Sequence, residues 1–105
     1  MTDLEITKLC AEAMGLDVTA DESGIGGVYF KRSIENPASR IYRPLNNDAQ
    51  AMALVKRFAL SIGGGPDGWE CWFEEGQNDF GGFWNKSDSL NRAICICVAN
   101  MQAEQ

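Results

Sequence analysis

Apolar residues recur at helical spacing in three stretches of the chain and at alternate positions between them. The fullest helical stretch lies in residues 43–62, RPLNNDAQAMALVKRFALSI. There Leu54, Val55, Phe58 and Ile62 form a stripe, Met52 and Ala59 widen it, and Lys56 and Arg57 fall on the other side. Pro44 holds Arg43 extended, Asn47 is placed to cap the first free amides, and Gln50 is placed to reach back. Glycines 63 to 65 and then Pro66 are expected to stop this helix, which reads as the element the rest packs against.

Two further helices bracket the chain. Thr2 followed by Glu5 is a capping box, and Ile6, Leu9, Cys10 and Ala13 give the first helix one buried stripe. Gly15 should end it, with Leu16 folding back. Near the other end Ser87 is placed to cap a helix with Asp88 in its first turn, and Leu90, Ile94, Cys97, Val98 and Met101 form its stripe.

The strands are shorter. Residues 17–27 read as a polar, glycine-rich loop, residues 28–30 and 41–43 as two short strands, and residues 31–40 as a connection broken at Asn36-Pro37. Trp69, Cys71 and Phe73 alternate with Glu70, Trp72 and Glu74, the period of a strand with one face toward a core, and residues 80–85 make a second aromatic strand in a hairpin with it. Trp72 shares its face with two glutamates, so it is either partly exposed or covered by another element. Trp69 and Phe73 are expected in the core. The order αββαββα, with connections too short for parallel crossovers, predicts an α+β fold: three helices on a small, mainly antiparallel sheet of about four short strands. One α/β sandwich-type domain is expected over residues 1–105.

Composition narrows the function. The hydrophobic share of 45% is ordinary, no apolar run is long enough to cross a bilayer, and the first ten residues carry acids where a secretion signal needs bases. A cytoplasmic location with no membrane contact is expected. Cys10, Cys71, Cys95 and Cys97 each sit in an apolar pattern and read as buried thiols. Cys95 and Cys97, two apart on a helix, point away from each other, and with no histidine a zinc site would need all four cysteines to converge. No metal and no cofactor are expected.

The net charge of −6 has a layout. Residues 1–30 carry one base and six acids, residues 31–57 six bases and two acids, and residues 58–105 two bases and seven acids. Acidity of this degree argues against direct nucleic-acid binding, which needs basic surface to displace counterions. Catalytic groups are sparse. The glycine-rich stretches at 24–27 and 63–68 lack the lysine and hydroxyl of a nucleotide loop and read as turns. Without histidine the usual serine and cysteine nucleophile arrangements do not form, and Glu70 and Glu74 lie about 13 Å apart along one strand, too far for a glycosidase pair. No enzymatic activity is expected.

Two surfaces remain as candidates. An acidic and aromatic one, Glu70, Trp72, Glu74, Glu75, Asp79 and Trp84, combines charge with the residue types that anchor protein interfaces. A basic one, Arg40, Tyr42, Arg43, Lys56 and Arg57, would suit a nucleotide signal.

The string RPLNNDAQAMALVKRF, the aromatic strand GWECWFE and the closing SDSLNRAICICVA resemble the phage ABA sandwich domain family of small bacteriophage proteins. The matching positions are Pro44, Leu45, Asn46, Asp48 and Ala49, then Asp88, Arg92, Ala93 and Ile94, with residues 13–16 similar to the family's opening. These cover about two thirds of the chain; the loop at 33–39 and the glycines at 63–68 depart from the pattern. The resemblance implies a small accessory protein of an infected bacterium and transfers no catalytic residue. Together with the acidity it points to a binding protein that inhibits a host defence complex, an anti-CRISPR protein or similar, with a host protein complex as partner. A nucleotide-signal sponge and an interaction protein of other role are the alternatives. A homo-oligomer is compatible with each, since short exposed strands pair across a two-fold axis.

Overall fold

The computed structural model describes residues 1–16, 18–22, 28–30, 41–73 and 83–104. Its centre is the last helix, α3 (Leu90–Ala103), rather than the one in residues 43–62. Ala93, Ile94, Cys95, Cys97, Val98 and Ala99 are all buried and cover about two thirds of the circumference at about 100° per residue, while Arg92, Ile96 and Asn100 mark the half-buried remainder. An apolar face this broad must be packed by more than one neighbour. Small residues at Ala93, Cys95, Cys97 and Ala99 let three neighbours approach: α1 (Asp3–Ala13), α2 (Asp48–Phe58) and a sheet described below. The Ser89 hydroxyl, not that of Ser87, caps α3, accepting from the Arg92 amide at 3.3 Å. Ser87 ends a strand instead.

The α1 helix runs in the same direction as α3. Arg92 bonds Asp3 at 2.8 Å where both helices begin, and Gln102 donates to Glu12 at 3.1 Å where both end. Between these ties the Cys10 thiol donates to the Cys95 carbonyl at 3.3 Å. The exposed Arg92–Asp3 pair sets the alignment and adds at most about 1 kcal/mol. The expected capping box of Thr2 and Glu5 is present. At the other end Gly15, at φ 71°, donates to the Glu12 carbonyl and Leu16 to that of Ala11, so Leu16 folds back as its position implies.

The α2 helix is stapled at its start. Asn47 Oδ1 accepts from the Gln50 amide at 3.0 Å, while the Gln50 side chain accepts from the Arg43 N–H at 2.6 Å and donates to the Ile41 carbonyl at 3.1 Å. The helix ends earlier than its apolar stripe suggests. Ala59 adopts a left-handed φ of 53° and Leu60 donates back to Val55, so the chain leaves at Leu60, which is buried. Ile62 therefore belongs to a strand.

Among the described residues six strands form two antiparallel sheets of three, and the element order is αβββαβββα. The fold is α+β with three helices, as the pattern predicts, and carries more than the expected four strands. The first sheet comprises β1 (Val18–Glu22), β2 (Val28–Phe30) and β3 (Ile41–Tyr42), with Val28 paired to Tyr42 and both buried. The β1 strand lies in the stretch read as loop. The second sheet comprises β4 (Ser61–Gly65), β5 (Gly68–Phe73) and β6 (Phe83–Ser87), in that order. The three glycines expected only to stop a helix are the body of β4. The two aromatic strands pair as expected, the second over Phe83–Ser87 and not 80–85, in a register that sets Trp72 opposite Trp84. Among the described residues no helix is long and apolar enough to cross a membrane.

Candidate functional site

Strand alternation sorts the second sheet into two faces. Cys71 is buried, and Asn85, paired with it, donates to the Ala93 carbonyl of α3 at 3.4 Å, so the inner face holds Ile62, Trp69, Cys71, Phe73 and Asn85. The outer face holds Glu70 and Trp72 of β5 with Trp84 and Lys86 of β6. Glu70 pairs directly with Lys86, and Trp72 with Trp84. Opposed indoles and an opposed carboxylate–ammonium pair are the cross-strand combinations that stabilise a hairpin. They also concentrate two interface-prone residues on one surface. Trp84 is 59% exposed, while Trp72 is half-buried with its ring over Gly63 of β4.

Trp69 departs from its expected place in the core. It lies on the inner face but at its rim, 40% exposed, with its ring against the backbone of Gly64. A Cβ at Gly64 would come within 2.7 Å of the ring. Phe73 is half-buried and packs against the core.

At the β4–β5 turn a cleft of about 140 Å³ is floored by Gly64, Gly65 and Gly68 and walled by Asp67, Glu70 and Lys86. Lys86 lies 3.8 Å from Asp67 and stands opposite Glu70 in the strand register. The cleft is well below the roughly 300 Å³ and more of ordinary ligand pockets, so it suits a side chain of a partner better than a nucleotide. Gly68 permits the turn: at φ 123° it places its α-carbon where a Cβ would sit 2.7 Å from the Ser87 carbonyl oxygen.

Of the acidic and aromatic set, the structure brings Glu70, Trp72 and Trp84 onto one face; Glu74, Glu75 and Asp79 lie outside the described residues. Lys86 and Asp67 were not singled out from sequence. Once Trp72 is set opposite Trp84, Lys86 must fall opposite Glu70, so the hairpin register was the available signal.

The basic set does not assemble as expected. Arg40 lies outside the described residues. Tyr42 is 3% exposed, so its ring is a core element and cannot stack on a surface ligand. Arg43 is half-buried beside the start of α2, whereas Lys56 and Arg57 stand on its last turn, about 9 Å further along the axis from Gln50. The Arg57 guanidinium lies 5.9 Å from the Phe58 ring centroid.

The four cysteines are buried thiols outside any disulfide, on two sides of α3. Cys10 bonds toward Cys95 and Cys71 toward Cys97. The bond to Cys95, with burial adding, pushes the Cys10 thiol far above its ordinary range. The bond to Cys97, again with burial, does the same to Cys71, and lowers Cys97 in turn. Protonated buried thiols of this kind are packing groups rather than nucleophiles. Among the described residues no group of three or more histidine, cysteine or carboxylate side chains is placed to hold a metal ion.

Comparison with family models, with curated proteins and with solved structures gives no match for this chain, so the reading of its function rests on the geometry of the second sheet.

Proposed function

We propose that this chain is a non-catalytic binding protein whose contact surface is the outer face of the second sheet. The observation that carries the reading is the Trp72–Trp84 pair, with Trp84 59% exposed beside the Glu70–Lys86 pair. Aromatic anchors rimmed by charge are the usual composition of an interface centre. Following the resemblance to the phage family, the partner is a protein of a bacterial defence complex, engaged in an infected cell. Acidic surface of this kind can occupy a site built for nucleic acid.

The test is a quantitative pull-down from a bacterial host with three proteins: wild type, Trp84→Ala and Lys56→Ala. Trp84 is exposed and Lys56 stands on α2, away from the sheet, so both variants should fold. A partner retained by wild type and Lys56→Ala and lost by Trp84→Ala supports the reading. Equal retention by Trp84→Ala contradicts it. Loss with Lys56→Ala alone moves the contact to the basic turn of α2 and contradicts it as well.

A further inference from the structure

The β4 strand is an edge of the second sheet, and its sequence, Ser-Ile-Gly-Gly-Gly, contains none of the devices that usually protect an edge. It has no charge, no proline within it and no bulge in its register with β5. The two-residue loop Pro66–Asp67 closes on the pair Gly65 and Gly68, which must be hydrogen-bonded to each other. Bonded pairs then recur at Gly63 with Glu70 and Ser61 with Trp72, so Ile62 and Gly64 turn their N–H and C=O groups away from β5. Among the described residues nothing bonds to that outward edge.

The edge is flanked by aromatic rings on both faces. Trp72 lies over Gly63 on the outer side and Trp69 against Gly64 on the inner side. Side chains of a strand added there would alternate between the two rings. Cationic side chains gain most from such neighbours, because the indole face attracts positive charge. The carboxylates of Asp67 and Glu70 stand at the adjoining cleft with the single ammonium of Lys86, and the chain as a whole carries a net charge of −6. Two copies of so acidic a chain repel, whereas a basic strand is complementary to it.

We propose that the outward edge of β4 takes an extended, basic segment of the partner protein as a fourth strand of the second sheet. This rests on the reading of that sheet as the contact surface and names the chemistry it recognises. Main-chain bonds at Ile62 and Gly64 hold the segment, and lysine or arginine side chains meet the indoles and carboxylates.

The experiment titrates the full chain, labelled with nitrogen-15, with a short acetylated peptide that alternates lysine with valine or threonine. Hydrogen exchange is read amide by amide. Exchange at Ile62 and Gly64 is expected to slow on binding, with Gly63 far less affected. Losing two main-chain bonds, a peptide methylated on the amide nitrogens of one edge binds about tenfold more weakly or worse. A peptide with glutamate in place of lysine is expected to lose binding to a similar degree. No slowing at Ile62 and Gly64 up to about 1 mM peptide overturns the proposal. So does equal binding of the methylated or the glutamate peptide. Slowing at the same amides that depends on protein concentration without peptide overturns it too, in favour of a second copy at the edge. If the peptide fails while Trp84→Ala still loses the partner, only the edge assignment falls; if Trp84→Ala keeps the partner, the contact surface itself is misplaced.

Discussion

The three consecutive glycines of β4 give an internally controlled test of how the second sheet is built. A Cβ added at Gly64 would sit 2.7, 2.9 and 3.1 Å from three carbons of the Trp69 ring. Carbon pairs rest at about 3.5–4.0 Å, so the ring must retreat by roughly 0.8 Å or swing away. Trp69 is 40% exposed and has room to move, which keeps the cost near the lower end of overpacking, about 1–2 kcal/mol. For a chain of this size that corresponds to a fall in Tm of about 5–15 °C. A Cβ at Gly63 would meet Trp72 at 3.6 Å, an ordinary contact, and one at Gly65 meets nothing within 4 Å. With no strain in those places, alanine restricts the unfolded chain and is neutral to stabilising by about 0.4–1 kcal/mol. Urea unfolding of Gly63→Ala, Gly64→Ala and Gly65→Ala, followed by circular dichroism and tryptophan emission, checks the order. Gly64→Ala alone should be destabilised, with emission shifted to the red as Trp69 gains solvent. Three equal variants, or a Gly64→Ala as stable as its neighbours, would refute the placement of Trp69 against β4.

Other outcomes follow from the same geometry. Ile94 is fully buried at the centre of α3, so Ile94→Ala should cost about 3 kcal/mol in urea unfolding, whereas Met52→Ala on the exposed side of α2 stays within about 0.5 kcal/mol. Gln50→Leu leaves the Arg43 N–H and the Ile41 carbonyl without their side-chain partner and should cost about 1–2 kcal/mol, with faster exchange of the Arg43 amide. Cys10, Cys71 and Tyr42 keep their protons in the fold at pH values where the unfolded chain has lost them, while Cys97 opposes them. Groups raised in this way stabilise fully below their unfolded values, here 9.0 for the thiols and 10.0 for the phenol, and that contribution is lost as pH rises further. The urea midpoint should therefore fall between about pH 9 and about pH 11, and a flat or rising midpoint contradicts the burial of these groups.

What the sequence revealed and what it hid have physical causes. Capping chemistry is local, so Thr2, Glu5, Gly15, Asn47 and Gln50 could be placed from neighbours a few residues away, and each acts as its position implies. The two aromatic strands were legible from their alternation, whereas the register that sets Trp72 opposite Trp84 was not, because alternation fixes faces only once one pair is known. The end of α2 was not. Its stripe runs on through Ile62 at helical spacing, and only the left-handed turn at Ala59, a conformation alanine seldom takes, separates helix from strand. β4 was hidden for a related reason: glycine disfavours strands on its own, and here it is required by indoles that approach from other strands. The central role of α3 was obscured as well, because alanine and cysteine at its buried positions look less apolar than the leucines and phenylalanine of α2. Tyr42 shows the limit of residue type as a guide to function, since an aromatic among basic residues reads as a ligand platform until its burial is known.

The central claim is that the outer face of the second sheet makes the contact. Its most direct measurement is the dissociation constant of the captured partner for Trp84→Ala against wild type, taken alongside the unfolding curve of each. The account predicts a cooperative unfolding curve lowered by no more than the roughly 1 kcal/mol of the lost cross-strand pair, because Trp84 is mostly exposed, and affinity weakened by about tenfold or more, the loss expected of an aromatic anchor. An unchanged dissociation constant with an intact fold would contradict it.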